Sequence, residues 1–256
     1  MKLIRSKESI QKQLNKKYRK ISKSKLIQEI NVLGPWVHGF FDLGNGLIIE
    51  DQDKLQKKRS LSLKKNFIEI IENHYTKKEI KKKSLIDIGC NTGASLNNLF
   101  SKIKSPVTKG IGIDINNYAI DLANQKYKKF SFRTYDGISI PFDNNSFDHI
   151  MIHHVIGHVE DPKSLIIEAK RVLVKNGTIS IVTPNWWYKF FQFLFNCYNS
   201  FSPDITILRY YSNNMLNNLM TKNGFQTHKI SNIGPSPNIF KLSIFKLRVI
   251  AIYKNN

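Results

Sequence analysis

Cysteine is nearly missing from this chain: Cys90 and Cys197 stand far apart, with no Cys-x-x-Cys pair. That excludes a disulfide framework, supports no metal site, and fits a reducing cytoplasm. Arginine is also scarce, at 7 of the 40 basic residues. Bidentate reading of phosphates and bases relies on arginine, so the shortage weakens the nucleic-acid reading that a net charge of +21 invites. A surface covered mainly by lysine is the plainer alternative, with RNA as a possible partner. No run approaches the ~18 apolar residues a membrane span requires. Nor does the Lys-rich stretch from Met1 to Ile30 contain the apolar core of a secretory signal. The expectation is a cytoplasmic protein with no metal.

What is present divides at about residue 84. Leu3, Ile4, Ile10, Leu14, Tyr18, Ile21 and Ile27 recur at roughly helical spacing among charged residues. Gly and Pro then punctuate the segment from Leu33 to Gly46, which predicts an ordered loop anchored by aromatic residues. A helix near 60–75 and a Lys-rich connector follow. Residues 1–83 are thus read as an N-terminal helical arm and lid segment, and 84–256 as the main domain.

From Ser84 onward, short apolar runs alternate with amphipathic stretches, the pattern of repeated βαβ units. Strands are predicted near 85–89, 109–114, 130–135, 147–153 and 178–183, with helices near 94–104, 117–127 and 163–174. A helix near 212–223 stops at Gly224, and strands near 225–232 and 243–253 pair as an antiparallel edge. The fold class is α/β: a Rossmann-like, doubly wound, mostly parallel sheet of seven strands with an antiparallel C-terminal edge strand. An aromatic insertion within about 184–211 is expected to cap it.

The stretch Leu85-Ile86-Asp87-Ile88-Gly89-Cys90-Asn91-Thr92-Gly93 is a buried strand running into a glycine-bearing turn that opens a helix. Such a turn lets backbone approach a ligand at the carboxyl edge of a sheet. Only Gly89 and Gly93 are present, short of the three glycines that support a pyrophosphate. Asp114 ends the next strand, directly before Ile115, and Asp136 ends the third, directly before Gly137. Acids at three successive strand ends suit a cationic nucleoside without phosphate, because carboxylates repel phosphate.

These residues resemble the class I S-adenosylmethionine-dependent methyltransferases. The stretch from Asp136 to Asp148, His158-Val159-Glu160-Asp161-Pro162, and Leu173-Val174-Lys175-Asn176-Gly177-Thr178 resemble the ubiquinone-biosynthesis-like branch. The resemblance implies that Gly89 and Gly93 shape the turn around the methionine moiety of S-adenosylmethionine, with Cys90 and Asn91 in that turn. It implies that Asp87 helps hold the amino group and that Asp114 and Ile115 take the ribose side. Asp136 and Gly137 sit at the adenine, and His153 lines the same site. Asn91 stands where the commoner pattern has Gly, which requires negative φ or the left-handed region. Upstream, Pro35-Trp36-Val37-His38 and Phe41-Asp42-Leu43-Gly44 are similar to relatives of the tRNA wobble-uridine-modifying transferases. That similarity would make Trp36, His38 and Asp42 a lid on the substrate side; simple anchoring of the arm is the alternative.

Methyl transfer from a sulfonium is an in-line displacement, in which positioning and exclusion of water do most of the work. A hydroxyl acceptor benefits from a nearby base, and Ile152-His153-His154-Val155-Ile156-Gly157-His158 places three imidazoles at the catalytic edge. His154 and His158 are the candidates for base or acceptor orientation; capping or filling space is the alternative. Trp186 and Trp187 open the aromatic insertion, which could wall an apolar acceptor pocket, rest on a membrane surface or stack on RNA. The expected function is methyl transfer to the O, N or C nucleophile of a small organic acceptor. The rivals are an RNA-modifying transferase using the same cofactor or its carboxylated form, with Arg133 or Arg209 meeting the extra carboxylate, and a non-catalytic cofactor-binding protein.

Overall fold

The computed structural model describes residues 83–100, 107–186, 207–233 and 248–255. The predicted arm before Lys83, including Trp36, His38 and Asp42, lies outside them, as do Trp187 and most of the aromatic insertion.

Seven strands and four helices alternate along the described chain. They are β1 (Lys83–Ile88), α1 (Ala94–Phe100), β2 (Val107–Asp114), α2 (Asn117–Lys126), β3 (Ser131–Thr134) and β4 (Phe147–His153). Then come α3 (Pro162–Val172), β5 (Leu173–Pro184), α4 (Asn213–Lys222), β6 (Phe225–Ile233) and β7 (Arg248–Asn255). The sheet order is β3-β2-β1-β4-β5-β7-β6. Strands β1 to β5 pair in parallel, whereas β7 is antiparallel to both β5 and β6. The predicted antiparallel edge is therefore a pair, with β7 inside and β6 outermost.

Period-two alternation sorts the strand side chains onto two buried faces. Ile86, Ile88, Ile111, Ile113, Ile150 and Ile152 form one face with Leu165, Ile166, Leu216 and Met220 of α3 and α4. Leu85, Met151 and Phe132 form the other with Leu96, Leu99, Ile120 and Ala123 of α1 and α2. With both faces covered, the central strands are near-continuous apolar runs, as parallel sheets require. Helix starts follow local chemistry. Asn116 caps α2 by accepting the Ala119 N–H, Ser212 caps α4 by accepting that of Met215, and Asp161 caps α3 ahead of Pro162.

Two details depart from the predicted spans. β5 starts at Leu173 rather than near 178, because its pairing with β4 slips between Phe147 and His149 and absorbs the Lys175–Gly177 excursion. β6 carries a bulge between Thr227 and Lys229 against β7.

Register aligns the strand ends. Ile88 lies beside Ile113 on one side and Ile152 on the other, Asp114 beside Thr134, and His153 beside Val182. From β1 the order runs outward to β2 and β3 on one side and to β4 and β5 on the other. A ligand crevice is expected outside the carboxyl ends at such a switch point.

Candidate active site

The turn after β1 is built from backbone that tolerates almost no side chain. Gly89 has φ 75, and a Cβ there would sit 2.2 Å from Val155 Cγ2. The Gly89 and Cys90 N–H groups both donate to the Ile113 carbonyl, at 2.7 and 3.1 Å, tying the turn to β2. Asn91 adopts φ 51, the left-handed one of the two conformations expected for it. Its side chain accepts the Thr92 N–H at 2.7 Å, which stabilises that conformation locally. The Asn91 N–H donates to Asp114 Oδ2 at 2.8 Å, and the Asn116 N–H donates to Asp114 Oδ1 at 3.0 Å. Asp114 therefore welds the β1 turn to the end of β2, with both oxygens already accepting one bond each. Burial raises its pKa, while the N–H groups of Asn116 and Asn91 act in the opposite direction.

Asp87 is the most unusual group in the site. It is 1% exposed, and its Oδ2 has no hydrogen-bond partner. Burial, and then the charge of Asp114, push its pKa up to about 8. The same two acids, after burial itself, raise the Cys90 thiol. A buried carboxyl oxygen lacking a partner is a place for a cation, because an uncompensated polar atom in the interior is costly. An ammonium or sulfonium fits that requirement. The residues therefore suit S-adenosylmethionine on their own chemistry.

Asp136 behaves differently. It is exposed, and its Oδ1 accepts the N–H groups of Ile138 and Ser139 at 2.7 and 2.8 Å, which lower its pKa. It thus closes its own turn. Next to it, Gly137 lies against Ile115: a Cβ on Gly137 would be 3.1 Å from Ile115 Cγ2. Ile115 and Ile138, 57% and 68% exposed, offer apolar surface at this edge.

On the other side of β1, His153 Nε2 bonds Ser180 Oγ at 3.1 Å, and burial depresses the ring pKa to about 3, so it is neutral. His154 directly follows β4 with φ 59 and donates its N–H to the Val182 carbonyl at 2.7 Å. His158 follows in a turn, its N–H bonded to the Val155 carbonyl. The two imidazoles are four residues apart, but a loop rather than a helix separates them. No group of three potential metal ligands exists among the described residues.

The loop carrying these histidines is clamped from a distance, which sequence reasoning missed. The Leu208 and Arg209 N–H groups both donate to the Gly157 carbonyl at 2.9 Å, and the Arg209 guanidinium donates to the Val159 and Glu160 carbonyls. Arg209, entertained above as a partner for an extra cofactor carboxylate, is engaged here instead. Arg133 packs over the Phe142 ring, 5.5 Å from its centroid. Neither is bonded to the β1 turn. The one available signal for Arg209 was that arginine is scarce in this chain, at 7 of the 40 basic residues.

Comparison with known proteins agrees with this geometry. Residues 86–181 match a family model described as a methyltransferase domain. That segment is similar to methyltransferase domains. The chain is 29% identical over 134 residues to a ubiquinone biosynthesis O-methyltransferase of Pelagibacter ubique, covering 51% of this chain and 54% of that protein. It is 25% identical over 150 residues to a demethylmenaquinone methyltransferase of Thermotoga maritima, covering 54% and 65%. Among solved structures, a SAM-dependent methyltransferase from Methanosarcina mazei superposes with TM-score 0.55 at 22% identity, covering 72% of this chain and 96% of that one. The matched region spans 30% of the length of one curated relative and 65% of another. The described sheet thus shares its fold with that structural neighbour.

Proposed function

We propose that the protein transfers the methyl group of S-adenosylmethionine to an oxygen nucleophile of a small organic acceptor. The observation that carries this reading is the unpartnered, buried Oδ2 of Asp87 beside the Gly89–Gly93 turn. Asp87 would face the cationic methionine end, with Cys90 and Asn91 lining the turn. Asp114 would accept the ribose hydroxyls through its remaining lone pairs, and Ile115, Asp136 and Gly137 would border the adenine. When bound, the cofactor supplies an activated methyl group; the residues hold the partners in line and exclude water.

The acceptor would enter from the β4–β5 side. His154 or His158 would orient it or take its proton, neutral His153 would line the wall, and Trp186 would border the entrance. Trp36, His38 and Trp187 are proposed substrate-side residues outside the described region. The names of the quinone-pathway relatives favour an aromatic hydroxyl, and a cytoplasmic setting is part of this proposal. Among the described residues no helix is long and apolar enough to cross a membrane. The RNA-modifying alternative with a carboxylated donor is not favoured, since Arg133 and Arg209 have other engagements.

Calorimetry with S-adenosylmethionine, followed by transfer of its radiolabelled methyl group to a panel of catechols and hydroquinones, tests the proposal. Wild type should bind, and Asp114→Ala should weaken binding roughly 10- to 100-fold, the worth of about one bond to a charged group. Undiminished affinity in that variant would remove the ribose assignment, and binding without transfer to any panel member would favour a non-catalytic role.

A further inference from the structure

The topology separates charge along the strand direction. Acids gather at the carboxyl edge, where Asp87, Asp114 and Asp136 end or follow β1 to β3. In βαβ units each helix runs back against its strands, so its C-terminus returns to the amino edge. Helices α2, α3 and α4 all carry basic residues in their last turns. The strand starts add more. Lys109 lies near the start of β2, Lys128 and Lys129 precede β3, Lys175 sits in the β5 excursion, and Lys254 pairs with Thr178 at the same end. Lys222 ends α4 just before β6 begins. The carboxylates at this end are few and partly engaged. Asp148 accepts the Ser84 N–H and hydroxyl, Glu168 pairs with Arg171 at 2.8 Å, and Asp143 stands on the surface.

The same end has a shape. β3 reaches β4 through residues 135–146 without a helix, which leaves a groove of about 610 Å³ lined by Lys109, Arg133, Phe142 and Asp143 among others. A planar bilayer cannot follow a groove, whereas an extended strand can. Moreover, surface membrane binding generally combines cations with apolar anchors. The exposed large apolar side chains among the described residues are Ile115 and Ile138 at the opposite edge and Ile167 within α3. Lysines acting as point charges suit phosphates without reading bases.

We propose that the amino edge of the sheet, with the groove beside β3, is a docking face for single-stranded RNA held through its phosphodiester backbone. This face lies opposite the methyl-transfer site and does not depend on the identity of the acceptor.

The test is fluorescence anisotropy of a short labelled single-stranded RNA of mixed sequence with the full chain. Four phosphate contacts predict that affinity falls roughly 50-fold between about 50 and about 200 mM salt. The paired reversal Lys109→Glu/Lys254→Glu should weaken binding at least tenfold. The control pair Lys163→Glu/Lys229→Glu, which changes net charge equally away from this face, should weaken it less than twofold. Calorimetric binding of S-adenosylmethionine by each variant reports that the fold is intact. If the reversal does not fold, Lys109→Gln/Lys254→Gln should still cost roughly three- to fivefold. Equal losses in both pairs, no binding by wild type at low salt, or tighter binding to duplex DNA or phosphatidylserine vesicles than to RNA would each overturn the proposal.

Discussion

Asp87 makes a pH prediction at the level of one side chain. Its pKa, about 8 in the folded chain against 3.8 ordinarily, means that the folded state holds a proton the unfolded state has lost between those values. Stability of the free protein should therefore fall through this group as pH rises from about 4 to about 8, at up to ~1.4 kcal/mol per pH unit. A cation bound at Asp87 reverses the preference and expels the proton. Binding of S-adenosylmethionine should then tighten up to about tenfold per pH unit below pH 8, and release about one proton at neutral pH. Calorimetry in buffers of different ionisation enthalpy reads that proton directly. Asp87→Asn should raise the melting temperature of the free protein at pH 8 while losing most of the affinity. At Asn91 the argument is conformational: Asn91→Ala keeps φ 51 but loses the bond to the Thr92 N–H. It should cost about 1–2 kcal/mol in urea unfolding, whereas Asn91→Gly should be nearly neutral.

Among the elements, the clamp on the β4–α3 loop predicts a separable defect. Arg209→Ala removes two bonds to the Val159 and Glu160 carbonyls but none to the cofactor turn. Amide exchange over 157–160 should accelerate and methyl transfer should fall about tenfold or more, while affinity for S-adenosylmethionine stays within twofold. Unchanged exchange would show that the guanidinium does not hold the loop. Such a contact was not legible in the sequence, because its partners lie about fifty residues apart and are backbone carbonyls. The alternation of strands and helices was legible, since runs such as Leu85–Ile86 and Ile150–Ile152 are apolar throughout and sit inside a covered sheet. The glycine turn and the acid ending β2 were legible for a similar reason: each interrupts an apolar run, whereas Asp136 follows the mixed stretch Ser131–Tyr135. What those acids bond was not. Asp114 reaches the Asn91 N–H 23 residues earlier, and Asp136 turns back on Ile138 and Ser139. The position of β7 between β5 and β6 was also hidden, because a hairpin pattern does not say which of its strands faces the sheet.

For the molecule as a whole, the strand order leaves two ribbon margins open to solvent. One is β3, four residues long; the other is β6, whose ladder with β7 is broken at the Thr227–Lys229 bulge, where Gln226, Thr227 and Lys229 are exposed. A short margin and a kinked, lysine-bearing one are poor templates for another copy's backbone. Lys229→Ile should therefore leave melting within about 0.5 kcal/mol yet raise light scattering on prolonged incubation at 37 °C. Among the described residues, both flanks of the sheet thus discourage the addition of a further strand, which argues against growth into fibres from either side.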